Sequence, residues 1–163
     1  YPPAHRRLQE RVGRHLLAAG DVESAMEPLF EGARQKAREP DYTTALRILA
    51  IREQALLARG KGEEDDRWAQ GRALQADILR SMGRLDEAFD VIDTIIDLVR
   101  SNLWLSILPG AIRTRALCAW MEGEREQRRI MREWRRQRNR DSREQFAWRD
   151  RLVSQTGTGD HEL

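Results

Sequence analysis

Apolar side chains recur along this chain at spacings of three and four, the period of a helix with one buried face, and short polar turns interrupt the recurrence. The first stretch aligns Leu8, Val12, His15/Leu16 and Ala19 and closes on Gly20, predicting a helix over about 5–19. Asp21 is placed to cap a second helix carrying Val22, Ala25/Met26, Leu29/Phe30 and Ala33, with Pro28 expected to kink it or delay its regular part. Asp41 caps a third with Ala45/Leu46, Leu49 and Leu56/Leu57, so residues 22–59 read as a helix pair. The loop GKGEEDD leads into a second pair over 65–100, whose latter helix shows a broad apolar face from Ala88/Phe89 through Ile92 and Ile95/Ile96 to Val99. Ser106 is placed to open a third pair over 106–139, divided near Gly123. Asn139-Arg140-Asp141 then interrupts the stripe, and the Ser-x-x-Gln box at 142–145 predicts a short cap helix over 142–152. No alternating segment bounded by turns predicts a strand. The fold class is all-α: one domain over 1–153, with residues 154–163 expected to be a disordered tail.

Small residues punctuate the pattern at a fixed interval. Gly13, Ala33 and Ala76 stand twelve positions before Ala25, Ala45 and Ala88, and Ala116 stands twelve before Arg128. A small residue on each helix of an antiparallel pair lets the two approach closely at their crossing. This spacing resembles the tetratricopeptide repeat, and the resemblance implies an αα-superhelix, a solenoid of seven to eight antiparallel helices. The second helix fits as partner of the first or of the third, and we take second/third, fourth/fifth and sixth/seventh as the pairs. The segment HRRLQERVGRHLLAAGDVESAMEPLFEGA also resembles the start of the helical region in bacterial STAND-type signalling ATPases and in serine/threonine kinases fused to such ATPases. That likeness implies the repeat part of a larger signalling protein. No nucleotide-binding loop and no kinase motif is present in the sequence.

Charge changes the picture at one end. Residues 1–100 carry 16 basic and 18 acidic side chains, whereas residues 101–163 carry 13 and 9. The segment 124–151 holds 11 Arg against six acids, with Trp134 and Trp148 interleaved. Arg128, Arg132, Trp134, Arg135, Arg136 and Trp148 are therefore a candidate basic surface, open to three readings: a solenoid cap packed through Ile130, Met131, Trp134, Phe146, Trp148 and Leu152, a self-association or partner-protein surface, or a nucleic-acid contact combining phosphate binding with stacking. The single Cys118 excludes a disulfide framework, suits a cytoplasmic setting and is expected to be a buried hydrophobe. The longest apolar run is far shorter than the ~20 residues of a membrane helix, so no membrane partner is expected. The chain opens on Tyr1 rather than Met, which fits a piece of a longer protein.

Chemistry-bearing clusters are sparse. Asp86, Asp90, Asp93 and Asp97 form one helical stripe with the reach to hold a divalent cation, but a solvated outer face accounts for them. His5, His15 and His161 lack metal spacing, and His15 is expected to be packed and hydrogen-bonded. No local catalytic motif appears, so neither cofactor nor enzymatic activity is expected. The repeat register instead places Arg34, Ala37/Arg38, Ala73, Asp77, Arg80 and Arg113 toward a concave groove, joined by Arg7 and Arg14 if the first helix also faces inward. Guanidinium groups there suit an acidic peptide or a carboxylate gripped by both nitrogens. The expected function is a non-catalytic protein-interaction or sensor scaffold, with a nucleic-acid-associated module or a small-effector domain as alternatives.

Overall fold

A computed structural model of the chain describes residues 8–156, the side chains at 141, 142, 145 and 148–156 excepted. Among the described residues there are six α-helices and no strand: α1 Gln9–Ala18, α2 Val22–Arg38, α3 Tyr42–Leu57, α4 Asp66–Ser81, α5 Leu85–Ser101 and α6 Leu108–Thr156. The chain divides into two compact units, residues 1–120 and 121–163.

Capping fixes the starts of three helices in the first unit. Asp21 accepts from Ser24 N at 3.1 Å, Asp41 from Thr44 N at 3.3 Å and Asp65 from Arg67 N at 3.0 Å. Each satisfies a backbone N–H that the first helical turn leaves unpaired. The α1–α2 and α4–α5 turns share one design. Gly20 and Gly83 adopt positive φ of 82° and 77°. The following N–H groups, of Asp21 and Arg84, reach back to Leu16 O and Leu79 O at 2.9 Å. A left-handed residue is needed at both joins, and glycine accepts it without steric cost. Helix α2 runs through Pro28 without interruption.

Packing in this unit follows the small residues. Ala25, Ala33, Ala45, Ala76 and Ala88 are fully buried, and Gly13 is buried with them. A Cβ built on Gly13 would lie 2.6 Å from Leu29 Cγ, and one on Gly32 only 3.0 Å from the Glu10 backbone, so α1 and α2 meet in near contact. Helix α2 packs on both α1 and α3 and also touches α4; α3 meets α4, and α4 packs along α5. Leu29, Ile48, Leu56, Ile92, Ile95 and Val99 complete a core that Ala111 joins from the start of α6. Each such fully buried aliphatic contributes about 1.5–3 kcal/mol relative to exposure.

Several expectations are corrected. The predicted pair over 106–139 and the cap helix over 142–152 are one continuous helix, α6. Gly123 costs an exposed helix only about 1 kcal/mol, and Asn139-Arg140-Asp141 contains neither Pro nor Gly. With good helix formers on both sides, neither site breaks the run, and the box at 142–145 starts no new helix. Ser106 lies in the turn before α6 and does not cap it. Ala116 is exposed, and Ala111, Thr114 and Cys118 face inward instead. In α1 the close approach at Gly13 turns Leu16 and Leu17 toward α2, leaving Val12 and His15 exposed; His15 is not packed. Ile130, Met131, Trp134 and Phe146 are exposed as well, so they pack no cap. His5, Arg7, His161 and residues 157–163 of the tail lie outside the described residues, as do the side chains of Trp148 and Leu152.

Candidate functional site

A cleft of about 320 Å3 opens within the first unit between α2, α4 and the start of α6. Phe30 of α2 forms one wall, Gln70, Ala73, Leu74 and Asp77 of α4 the floor, and Ser106, Ile107, Gly110, Ala111, Arg113 and Thr114 the far side. Alternate helices supply it: α3 and α5 contribute no lining residue.

The apolar lining consists of side chains at the rim of the core, while the polar groups differ sharply in how far they are committed. Asp77 accepts from Arg80 Nε at 3.1 Å and Nη2 at 2.8 Å, a fork within α4 that leaves the carboxylate neutralised. Thr114 is nearly buried. Arg113 is exposed and forms no hydrogen bond or ion pair among the described residues. The cleft therefore combines apolar walls, amide and hydroxyl groups and one uncommitted guanidinium, a lining suited to holding a carboxylate beside an apolar side chain. Among the described residues no histidine lines it, and the one carboxylate that does, Asp77, is engaged by Arg80.

Behind the wall sits a residue that sequence reasoning passed over. Arg52 of α3 is 2% exposed. Its Nε donates to Met26 O at 3.0 Å, Nη1 to Arg67 O at 2.6 Å and Nη2 to Gln70 Oε1 at 3.2 Å. Its guanidinium carbon lies 5.1 Å from the centre of the Phe30 ring. Burial pushes its pKa down to about 10, against the upward pull of Glu27 and the loop acids Asp65 and Asp66. Arg52 thereby fixes Phe30 and Gln70, two of the cleft's lining residues. Nearby, Asp65 accepts from Arg67 Nε at 3.0 Å and Nη2 at 2.8 Å, which holds the carboxyl below its ordinary range and raises Arg67; Arg67 also pairs with Glu23 of α2. Trp68 Nε1 donates to Glu53 at 3.0 Å. These bonds tie α2, α3 and α4 together beneath the cleft. The signal available in the sequence was a charge at position 52, on the stripe set by Ala45, Ile48/Leu49 and Leu56.

Of the groove residues expected from the repeat register, Ala73, Asp77 and Arg113 line the cleft, and Arg80 is tied to it through Asp77. Arg14, Arg34 and Arg38 do not line it: Arg14 pairs with Glu10 at 3.0 Å, Arg34 with Glu31 at 2.8 Å, and Arg38 is exposed. Asp86, Asp90, Asp93 and Asp97 are exposed, Asp93 pairs with Arg115 at 2.7 Å, and no metal-holding cluster occurs among the described residues. Cys118 is fully buried, and burial raises its thiol pKa. No helix among the described residues is long and apolar enough to cross a membrane.

In the second unit Arg128, Arg132, Trp134, Arg135 and Arg136 are all exposed on a single helix. Arg128 pairs with Glu124 at 3.3 Å, and Arg138 lies 5.4 Å from the centre of the Trp134 ring. A shallow hollow there is lined by Glu124, Gln127, Arg128, Met131, Arg132 and Arg135. Compared with protein-family descriptions, curated proteins and solved structures, the chain matches none.

Proposed function

We propose that the chain is a non-catalytic protein-interaction or sensor scaffold, the helical-repeat part of a larger cytoplasmic bacterial signalling ATPase or kinase. In this reading α2/α3 and α4/α5 are repeat hairpins, the start of α6 packs beside them, and the cleft is the concave groove of a tetratricopeptide-like solenoid. One observation carries it: α2 and α4, the leading helices of the two hairpins, line the cleft together with the start of α6 and leave Arg113 uncommitted there. The ligand is an extended peptide that sets an acidic side chain against Arg113 and an adjacent apolar one against Phe30, Leu74 and Ile107.

The test uses fluorescent twelve-residue peptides of equal length that pair Leu or Phe with Glu, Gln or Lys, titrated against the full chain by anisotropy. Glu peptides bind best, and Arg113→Glu weakens them by about tenfold or more, the scale of one lost charge-assisted hydrogen bond. Binding indifferent to both the peptide's charge and Arg113 overturns the reading.

A further inference from the structure

A second surface, separate from the cleft, lies on the second unit. On α6, Gln127, Ile130, Met131, Trp134 and Arg138 stand at i, i+3, i+4, i+7 and i+11 and so share one face. Ile130 is 54%, Met131 49% and Trp134 53% exposed, so three large apolar side chains stand in water within about 6 Å of helix, a little over one turn. Arg128, Arg132 and Arg135 run beside them at i, i+4 and i+7. Only Arg128 of these has an acidic partner among the described residues, Glu124. On the other flank Glu126 and Glu133 alternate with arginines, and Arg129 is paired with Glu126 at 2.7 Å. One edge of the apolar stripe is thus strongly cationic, and the other is balanced.

We infer that this face docks an acidic amphipathic helix of a partner protein. An occupant must cover aliphatic side chains and supply negative charge along one edge at the pitch of a helix. A polynucleotide supplies the charge and a base to stack on Trp134, but it has nothing to offer Ile130 and Met131, which lack both a π-face and a donor. A second copy of the same face brings apolar surface together with a net positive charge of its own, since residues 121–140 hold eight Arg against four acids. A helix with a Leu seam and Glu on its flank meets both demands over about two turns.

The probe is a synthetic 21-residue helix with Leu at the seam and Glu on the flanks, matched by one with Lys in place of Glu, each titrated against the full chain by anisotropy. The Glu helix binds at least tenfold more tightly than the Lys helix, and Arg132→Glu with Arg135→Glu reverses that order. Ile130→Ser with Met131→Ser weakens the Glu helix at least tenfold but leaves binding of the twelve-residue Glu peptides unchanged, which separates this surface from the cleft. All four helix positions are exposed, and circular dichroism checks that the variants keep their helix. Absence of Glu-helix binding, or binding that ignores the Ile130 and Met131 changes, overturns the inference. So does tighter binding of a 20-base-pair DNA duplex or of phosphatidylglycerol vesicles that is insensitive to those changes. Sedimentation equilibrium showing a dimer that the same changes dissolve assigns the face to a second copy and overturns it equally.

Discussion

The guanidinium of Arg52 forms no ion pair among the described residues and is held by two backbone carbonyls, one side-chain amide and the face of an aromatic ring. Desolvating a cation costs several kcal/mol unless its donors are met, and the lowered pKa records the part that remains uncompensated. Removing the side chain releases that cost but opens a cavity and takes the second donor from Met26 O and Arg67 O, which keep their places in the helical ladders of α2 and α4. The lost hydrogen bonds and packing outweigh the desolvation released, so Arg52→Ala is expected to destabilise the chain by about 2 kcal/mol in urea titration and to slacken Phe30 and Gln70 in the cleft. A variant as stable as the parent shows the network to be dispensable. The same scale explains which groove residues could be read in advance. Arg14 and Arg34 had acids at i−4 and i−3, visible in the sequence, and those local pairs consumed them. Arg113 has no such partner, and it lines the cleft. Arg52 stood on an apolar stripe, where its charge was visible, but only tertiary packing shows where three of its five donors go.

Among the helices, the Asp21 and Asp41 caps and the Gly20 join were legible because each is a local hydrogen-bonding requirement with a residue-specific answer, whereas the cap at Asp65 stood among four acids at 63–66 and was not singled out. The breaks expected near 121–124 and at 139–141 were not, because a weak helix former marks only a cost and nothing local compels the chain to turn. The twelve-residue interval likewise held where helices pack, at Gly13/Ala25, Ala33/Ala45 and Ala76/Ala88, and lapsed at exposed Ala116. Two glycines separate these cases. Gly13→Ala would drive a methyl into Leu29 and is expected to cost about 1–3 kcal/mol. Gly123→Ala meets nothing within 4 Å and is expected to gain about 1 kcal/mol of helix stability. Thermal unfolding followed by circular dichroism distinguishes them by opposite shifts in Tm.

At the scale of the whole molecule, the two units rest on different physics. The first has a contiguous core; beyond residue 120 no described side chain is buried, so that part of α6 depends on propensity and pairs such as Arg129–Glu126. Isolated helices are marginal in water, and amide exchange is expected to be slowest across Ile92–Val99 and far faster across 125–138. Equal protection in the two segments would show that the second unit has acquired cover. One further consequence follows from Cys118, the only cysteine of the chain, sealed at 0% exposure with its thiol pKa raised. Under native conditions it is expected to react far more slowly with maleimides than an exposed thiol. A thiol engineered anywhere on the surface would therefore take a spin label or dye ahead of it, making the wild-type sequence a ready background for spectroscopic rulers.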